Sequence, residues 1–263
     1  MAHRNKRPPR RGPPGKQSSA GSSVWIWGHH AVEAALANPA RVIQRIVVTN
    51  ETARSLPPLA GEAPEPENLS PGAIGALLPA GSVHQGLALL VKPLENLDLI
   101  DACEVSGEAP QSVVLVLDQV TDPRNVGAIL RSAAAFGVRA IVTPSAHSAP
   151  ETGALAKAAS GALERVPLVR VSNLARALGQ LADLGYWRIG LDSEATKTLR
   201  ADDHKGHVAL VLGAEGSGMR RLTGEHCDEK VKLATQPVTG ATGSLNVSVA
   251  ASVALYEFAR APR

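Results

Sequence analysis

From residue 113 onward, short apolar runs alternate with stretches of helical periodicity, and this alternation limits the fold more than any other feature. VVLVLDQV (113–120) is a continuous apolar run, the pattern of a strand buried on both faces. Residues 125–136 follow with helical spacing and stop at Gly137, which suits a left-handed cap. RAIVT (139–143), LVRV (168–171), YWRIGLD (186–192), HVALVLG (207–213) and KVKL (230–233) read as further strands. GALAKAASGAL (153–163), NLARALGQLADLG (173–185) and NVSVAASVALYEFAR (246–260) read as helices, the last strongly amphipathic. Strands that alternate with helices predict an α/β fold on a parallel sheet.

Ahead of this block the pattern is less regular. In VWIWGHHAVEAAL (24–36), Val32, Ala35 and Leu36 share one face of a short helix that Asn38-Pro39 stops. RIVVT (45–49) and GLALLVKPL (86–94) are strand candidates, and five prolines across 50–72 predict a loop with little regular structure. These segments predict a small α/β domain near the lower size limit for independent stability. The acid-rich stretch around Glu95, Asp98, Asp101, Glu104 and Glu108 reads as a linker with a turn or two of helix. The expected division is a basic arm (1–22), a small domain (23–93), a linker (94–111) and a large domain (112–263).

Charge is uneven along the chain. The net charge of +3 conceals six basic residues and no acid in 1–22, while the remainder carries more acids than bases. A basic arm on a mildly acidic body suits a polyanion tether, and a solubilising tail fits the same composition. Its Arg, Lys, Pro, Gly and Ser content predicts disorder. Two cysteines cannot form a disulfide framework and suggest a reducing compartment. With no apolar run long enough to span a bilayer and no signal-peptide core, a cytoplasmic protein is expected.

Chemistry concentrates at three junctions. In DQVTDPRNVGAILRSAAAFG (118–137), Asp122-Pro123 starts a helix, Asn125 lies in its first turn, and Arg131 stands in an Ala-rich helix where it needs an anionic partner. On this stretch alone, an ordinary capped helix with Arg131 in a structural salt bridge is the favoured reading. In VALVLGAEGSGM (208–219), a buried strand ends among Gly213, Gly216 and Gly218 with one acid, Glu215. Glycines there let backbone come close to a ligand, but the spacing is neither a dinucleotide fingerprint nor a phosphate loop nor a nucleophile elbow. In QPVTGATGSLNVSVA (236–250), turn residues lead into the last helix with Ser244 as its N-cap and Asn246 beside it. The histidines at 204, 207 and 226, with Cys227, fit no common zinc pattern and read as surface residues, so no metal is expected. Trp25 and Trp27 read as core of the small domain.

Taken together, NVGAILR (125–131), VLGAEGSGM (211–219), and PVTG (237–240) with SLNVSVA (244–250) resemble the three ordered motifs of the SpoU (TrmH) group of the SPOUT superfamily, the RNA 2′-O-ribose methyltransferases. The resemblance covers about residues 112–262. WGHHAVEAAL (27–36) and HQGLALLV (84–91) are similar to the substrate-binding domain of the branch that methylates a guanosine ribose in 23S rRNA. It implies a parallel α/β domain with a C-terminal trefoil knot, a homodimer, S-adenosylmethionine as cofactor, rRNA as partner, and no membrane. By match, Gly213, Gln236 and Leu245 contact the cofactor mainly through backbone, with Gln236 standing where the family usually has Ile. Asn125, Glu215, Ser244 and Asn246 position the ribose or order the loops. Arg131 matches the arginine assigned to activating the hydroxyl, although a guanidinium is a poor base and suits phosphate binding or alkoxide stabilisation as well. Two other readings remain open: a tRNA 2′-O-ribose methyltransferase, and a non-catalytic RNA-binding or ribosome-assembly protein that kept the fold.

Overall fold

A computed structural model describes residues 23–57, 63–105, 107, 111–236 and 245–260. The large sheet has six strands: β5 (Val113–Asp118), β6 (Ala140–Pro144), β7 (Leu168–Val171), β8 (Trp187–Leu191), β9 (Val208–Gly213) and β10 (Glu229–Val231). All its pairings are parallel, in the order β10-β8-β9-β5-β6-β7. Each strand occurs where an apolar run predicts one. The reason is visible in β5, where Leu115 and Leu117 point to one core and Val114 and Val116 to another. With both faces covered, no polar position is tolerated until Asp118.

Helices α5 (Pro123–Ala135), α6 (Gly153–Ala159) and α9 (Val247–Arg260) cover one face of this sheet, and α7 (Leu174–Asp183) covers the other. Asp122 caps α5 by accepting from Arg124 N at 2.8 Å, with Pro123 in the first helical position. Gly137 beyond its end is left-handed, with φ at 69°. A short α8 (Arg221–Glu225) precedes β10. Because β6 and β7 extend the sheet to one side of β5 while β9 and β8 lie on the other, strand order reverses between β5 and β9. Open parallel sheets bind ligands at the carboxyl edge of such a switch point.

The amino-terminal sheet has the order β1-β4-β2-β3, from β1 (Val24–Trp27), β2 (Ile43–Val48), β3 (Glu67–Asn68) and β4 (Leu87–Val91). VWIW, unassigned in the sequence, is a strand because β4 gives it a ladder partner. Helix α1 (His29–Ala37) buries Val32, Ala35 and Leu36 as expected, with Ala31.

The described residues of 50–72 hold more regular structure than the prolines suggest. They include a helical turn α2 (Asn50–Ala53), strand β3 and the start of α3 (Pro71–Leu77). Pro71 is a helix starter here, since Ser70 Oγ accepts from Ala73 N at 3.3 Å and a first-turn proline has no amide to waste. Ile74, fully buried, anchors that helix to the sheet.

The acidic stretch after β4 is not a free tether. It contains α4 (Leu99–Cys103), whose Leu99, Ala102 and Cys103 pack into the core over the large sheet. Asn96 exchanges two hydrogen bonds with Arg170 of β7, at 3.1 and 2.7 Å. The small sheet is likewise docked: Ile26, Leu87 and Leu89 share one continuous core with Leu115 and Ile129.

The last helix departs from the amphipathic expectation. Val247, Ala251, Ala254, Leu255 and Phe258 are buried, but Val249, Val253 and Tyr256 are exposed on the opposite side. The arm 1–22 and the segment 237–244, which holds PVTG and Ser244 of the third motif, lie outside the described residues.

Candidate active site

Asp118 and Gly213, the last residues of β5 and β9, are register partners at the switch point, and the candidate residues gather just beyond them. Asn125 comes from the first turn of α5, Glu215 from the loop after β9, and Asn246 from the start of α9. Glu215 Oε1 accepts from Asn125 Nδ2 at 3.2 Å, from Val247 N at 3.3 Å and, at closer range, from Asn246 Nδ2. Asn246 Nδ2 also donates to Asn125 Oδ1 at 3.1 Å. One carboxylate oxygen therefore ties together three segments that are distant in sequence. Its charge sits at the amino end of α9, where the helix dipole favours an anion.

Asn246 is the N-cap of α9: its Oδ1 accepts from Ser248 N at 2.9 Å and Ser248 Oγ at 2.6 Å. The cap expected at Ser244 is thus two residues later, and Ser244 itself lies outside the described residues. Arg131 is exposed on α5 and takes no part in the Asn125–Glu215–Asn246 junction. The salt bridge expected for it has no counterpart among the described residues.

Beside the junction a cleft of about 640 Å³ opens at the carboxyl ends of β8, β9 and β10. Leu212, Leu245, Val247 and Ala250 give it apolar walls, and Asp192, Glu194 and Lys232 bring charge to its rim. Gly213 and Leu245 line it, and Gln236 is exposed at the end of the described segment. The size falls within the usual range for a small-molecule site. Apolar walls for a heteroaromatic base and carboxylates for a cationic methionyl part suit S-adenosylmethionine.

Gly213 is required for a reason the sequence did not expose. A Cβ there would lie 2.0 Å from the carbonyl carbon of Gly218, so the close approach is made by the protein's own loop. That loop folds back on itself, with Ala214 and Gly218 exchanging backbone hydrogen bonds at 3.1 and 2.9 Å and positive φ at Gly216 and Gly218.

Two contributors escaped the sequence reading. The fully buried Asp118 carboxylate accepts from Arg220 N at 2.8 Å and Arg220 Nε at 2.7 Å, which pins the far end of the same loop. A lone acid ending an apolar strand was the available signal. Gly127 of NVGAILR is a packing residue: a Cβ would meet Ala158 Cβ at 2.5 Å and Leu155 O at 2.6 Å, where α5 crosses α6.

The histidines are structural rather than surface-exposed. His204 is half-buried, 3.4 Å from Glu229 and stacked near Phe258, while His207 Nδ1 accepts from Ser112 N at 3.2 Å. Burial pushes the Cys227 thiol up to about 11. Among the described residues no three His, Cys, Asp or Glu side chains gather as metal ligands. Trp27 is buried as expected, against Gly153 of α6, and Trp25 is only partly so.

A parallel sheet with a polar junction and an adjoining cleft at its switch point defines an α/β enzyme of the ligand-at-the-crevice class. The chain belongs to the SpoU rRNA Methylase family, whose profile matches residues 112–256. A second profile, RNA 2′-O ribose methyltransferase substrate binding, matches residues 25–97. The chain is 42% identical over 244 residues to a Vibrio cholerae 23S rRNA (guanosine-2′-O-)-methyltransferase, covering 91% of this chain and 97% of that one. The Escherichia coli protein of the same name is 46% identical over 180 residues, 68% of this chain and 73% of the other. The SpoU methyltransferase AviRb from Streptomyces viridochromogenes, solved with the cofactor AdoMet, shares the fold at a TM-score of 0.73 and 21% identity, covering 95% of this chain and 93% of that one.

Proposed function

We propose that this protein transfers a methyl group from S-adenosylmethionine to the 2′-hydroxyl of a guanosine ribose in 23S rRNA. The observation that carries the reading is the Asn125–Glu215–Asn246 junction beside the cleft, in a chain so similar along its length to 23S rRNA (guanosine-2′-O-)-methyltransferases. When bound, S-adenosylmethionine would supply a methyl activated by its sulfonium C–S bond, and the transfer would release the neutral thioether and, to solvent, the hydroxyl proton. The protein's task is then to hold the 2′-oxygen in line with that bond.

Gly213, Gln236 and Leu245 hold the cofactor, while Asn125, Glu215, Ser244 and Asn246 fix the loops around the ribose. Arg131, exposed and outside the junction, binds the neighbouring phosphate and stabilises the charge that develops on the oxygen. Residues 1–22 form a basic arm, 23–93 present the RNA, 94–111 link, and 112–263 are the knotted catalytic unit, in a cytoplasmic homodimer. The exposed Val249, Val253 and Tyr256 support the dimer, because they form an apolar face on the helix that bears Asn246.

Incubation of the protein with S-adenosylmethionine and either 23S rRNA or tRNA, followed by mapping of 2′-O-methyls, tests the reading. Methyl on an rRNA guanosine is expected. Methylation of tRNA alone would overturn the substrate, and no saturable cofactor uptake would leave an RNA-binding protein. Arg131→Ala abolishes transfer and Arg131→Lys retains little; near-normal turnover in the Ala variant removes Arg131 from the site.

A further inference from the structure

We propose that a second RNA-contact site lies at the opposite edge of the large sheet from the candidate active site. There Trp187 offers a stacking face to an unpaired base, and Arg200 and Lys205 take the phosphates beside it. The inference rests on the reading of RNA as substrate and extends it to single-stranded RNA flanking the target nucleotide.

The amino ends of β8, β9 and β10 and the chain between β8 and β9 enclose a cleft of about 1040 Å³, lined by Trp187, Arg188, Lys197, Arg200, His204 and Lys205 among others. Trp187 is 49% exposed, whereas Trp27 is buried and Trp25 partly buried. In a chain only 3% aromatic, leaving an indole in water at the mouth of a cleft needs a reason. The ring is also held in place, since its Nε1 donates to Glu229 at 3.1 Å. A pre-oriented indole loses little entropy when a base stacks on it.

The cleft's carboxylates are largely committed to the protein. Asp228 takes the Arg188 guanidinium through contacts of 2.6 and 2.9 Å, and Glu229 is shared among Trp187, His204 at 3.4 Å and Lys197 at 3.5 Å. Arg200 and Lys205 form no ion pair within 4.0 Å among the described residues, Arg200 meeting the charge of Glu257 only at longer range, and the cleft lining holds one unpaired acid, the exposed Asp203. An aromatic face beside uncommitted cations is the chemistry of single-strand binding, which combines base stacking with phosphate neutralisation. The position also fits. The cofactor cleft adjoins the carboxyl ends of β8 and β10 and this one their amino ends, about 13 Å apart along β8.

The test uses the full chain and a mixed-sequence single-stranded RNA of about 20 nucleotides as probe. Trp187→Ala and the double variant Arg200→Glu/Lys205→Glu are each expected to weaken binding by about five-fold or more. The double variant should also flatten the dependence of log affinity on log salt by about one unit. Cofactor binding, measured separately, should stay within about two-fold, and ultraviolet cross-linking should yield an RNA adduct on the peptide that contains Trp187. If Trp187→Ala fails to fold, the surface charge variant decides. RNA affinity within two-fold of wild type in a folded charge variant, or no adduct at Trp187, overturns the inference. A wild type that binds the probe through Trp187 but methylates no rRNA refutes the catalytic reading and leaves this one standing. A wild type that methylates rRNA with variants of unchanged affinity does the reverse.

Discussion

At Glu215 a single oxygen receives hydrogen bonds from two side-chain amides and a backbone amide, and so joins residues 125, 215 and 246. The arrangement explains why an acid is needed among the glycines: a carboxylate only accepts, and every neighbour it meets here is a donor. Asp118 serves the other end of the same loop, but from the protein interior. Asp118→Asn keeps the shape yet turns one acceptor into a donor facing Arg220, and breaks a pair whose acid is fully buried. We expect a loss of about 2 kcal/mol in urea unfolding, less than for a doubly buried pair because Arg220 is half exposed. The KM for S-adenosylmethionine should rise as well, since Gly213 to Met219 line the cleft. Unchanged stability and KM would show that the loop holds without this pair. The sequence displayed Glu215 as the one acid of a glycine-rich loop. Asp118 was just as visible as a residue, but its role depends on Arg220, 102 positions away.

Among the elements, the crossing of α5 and α6 shows what the middle of the first motif does. Gly127 lets the backbone of α6 come so near that any side chain must displace Ala158 or the Leu155 carbonyl. Gly127→Val is therefore expected to overpack the crossing by about 1–3 kcal/mol. A fall in Tm of several degrees checks this by calorimetry, with loss of activity following because α5 carries Asn125 and Arg131. A Tm equal to wild type would mean that the helices part without cost. The α9 helix gives the complementary case. Its sequence is apolar on more than one face, whereas a strongly amphipathic helix was expected. Val249, Val253 and Tyr256 remain in water because one chain supplies only one core for the helix to cover.

For the whole molecule, that uncovered face and the docking of the two sheets both have consequences. If Val253 meets a second copy, Val253→Glu yields monomers in light scattering at concentrations where the wild type is dimeric, and activity falls with it. A wild type that is monomeric at micromolar concentration would remove the dimer. Within one chain, Arg41 joins the two sheets. Its side chain is fully buried, reaching Glu164 at 2.6 and 3.1 Å, Glu151 at 2.6 Å and the Lys92 carbonyl at 2.9 Å. Burial pulls its pKa down, yet the bonds and charge of Glu164 and Glu151 more than offset this, so it stays ionised. Arg41→Ala would strand two mostly buried carboxylates and cost about 3–5 kcal/mol. Faster proteolysis between residues 94 and 111 would show the sheets separating; unaltered unfolding and cleavage would mean that the apolar core alone holds them. The sequence by itself determined the strands of the large sheet, its helices other than the short α8, and the three motifs, because burial on both faces and capping leave local patterns of residue type. Tertiary structure alone decided that the switch point falls between β5 and β9, that Glu215 unites the motifs, and that the smaller sheet is fused to the larger rather than tethered. Those outcomes depend on pairings between residues tens of positions apart, and a single chain's local pattern records which residues want partners without recording which partners they find.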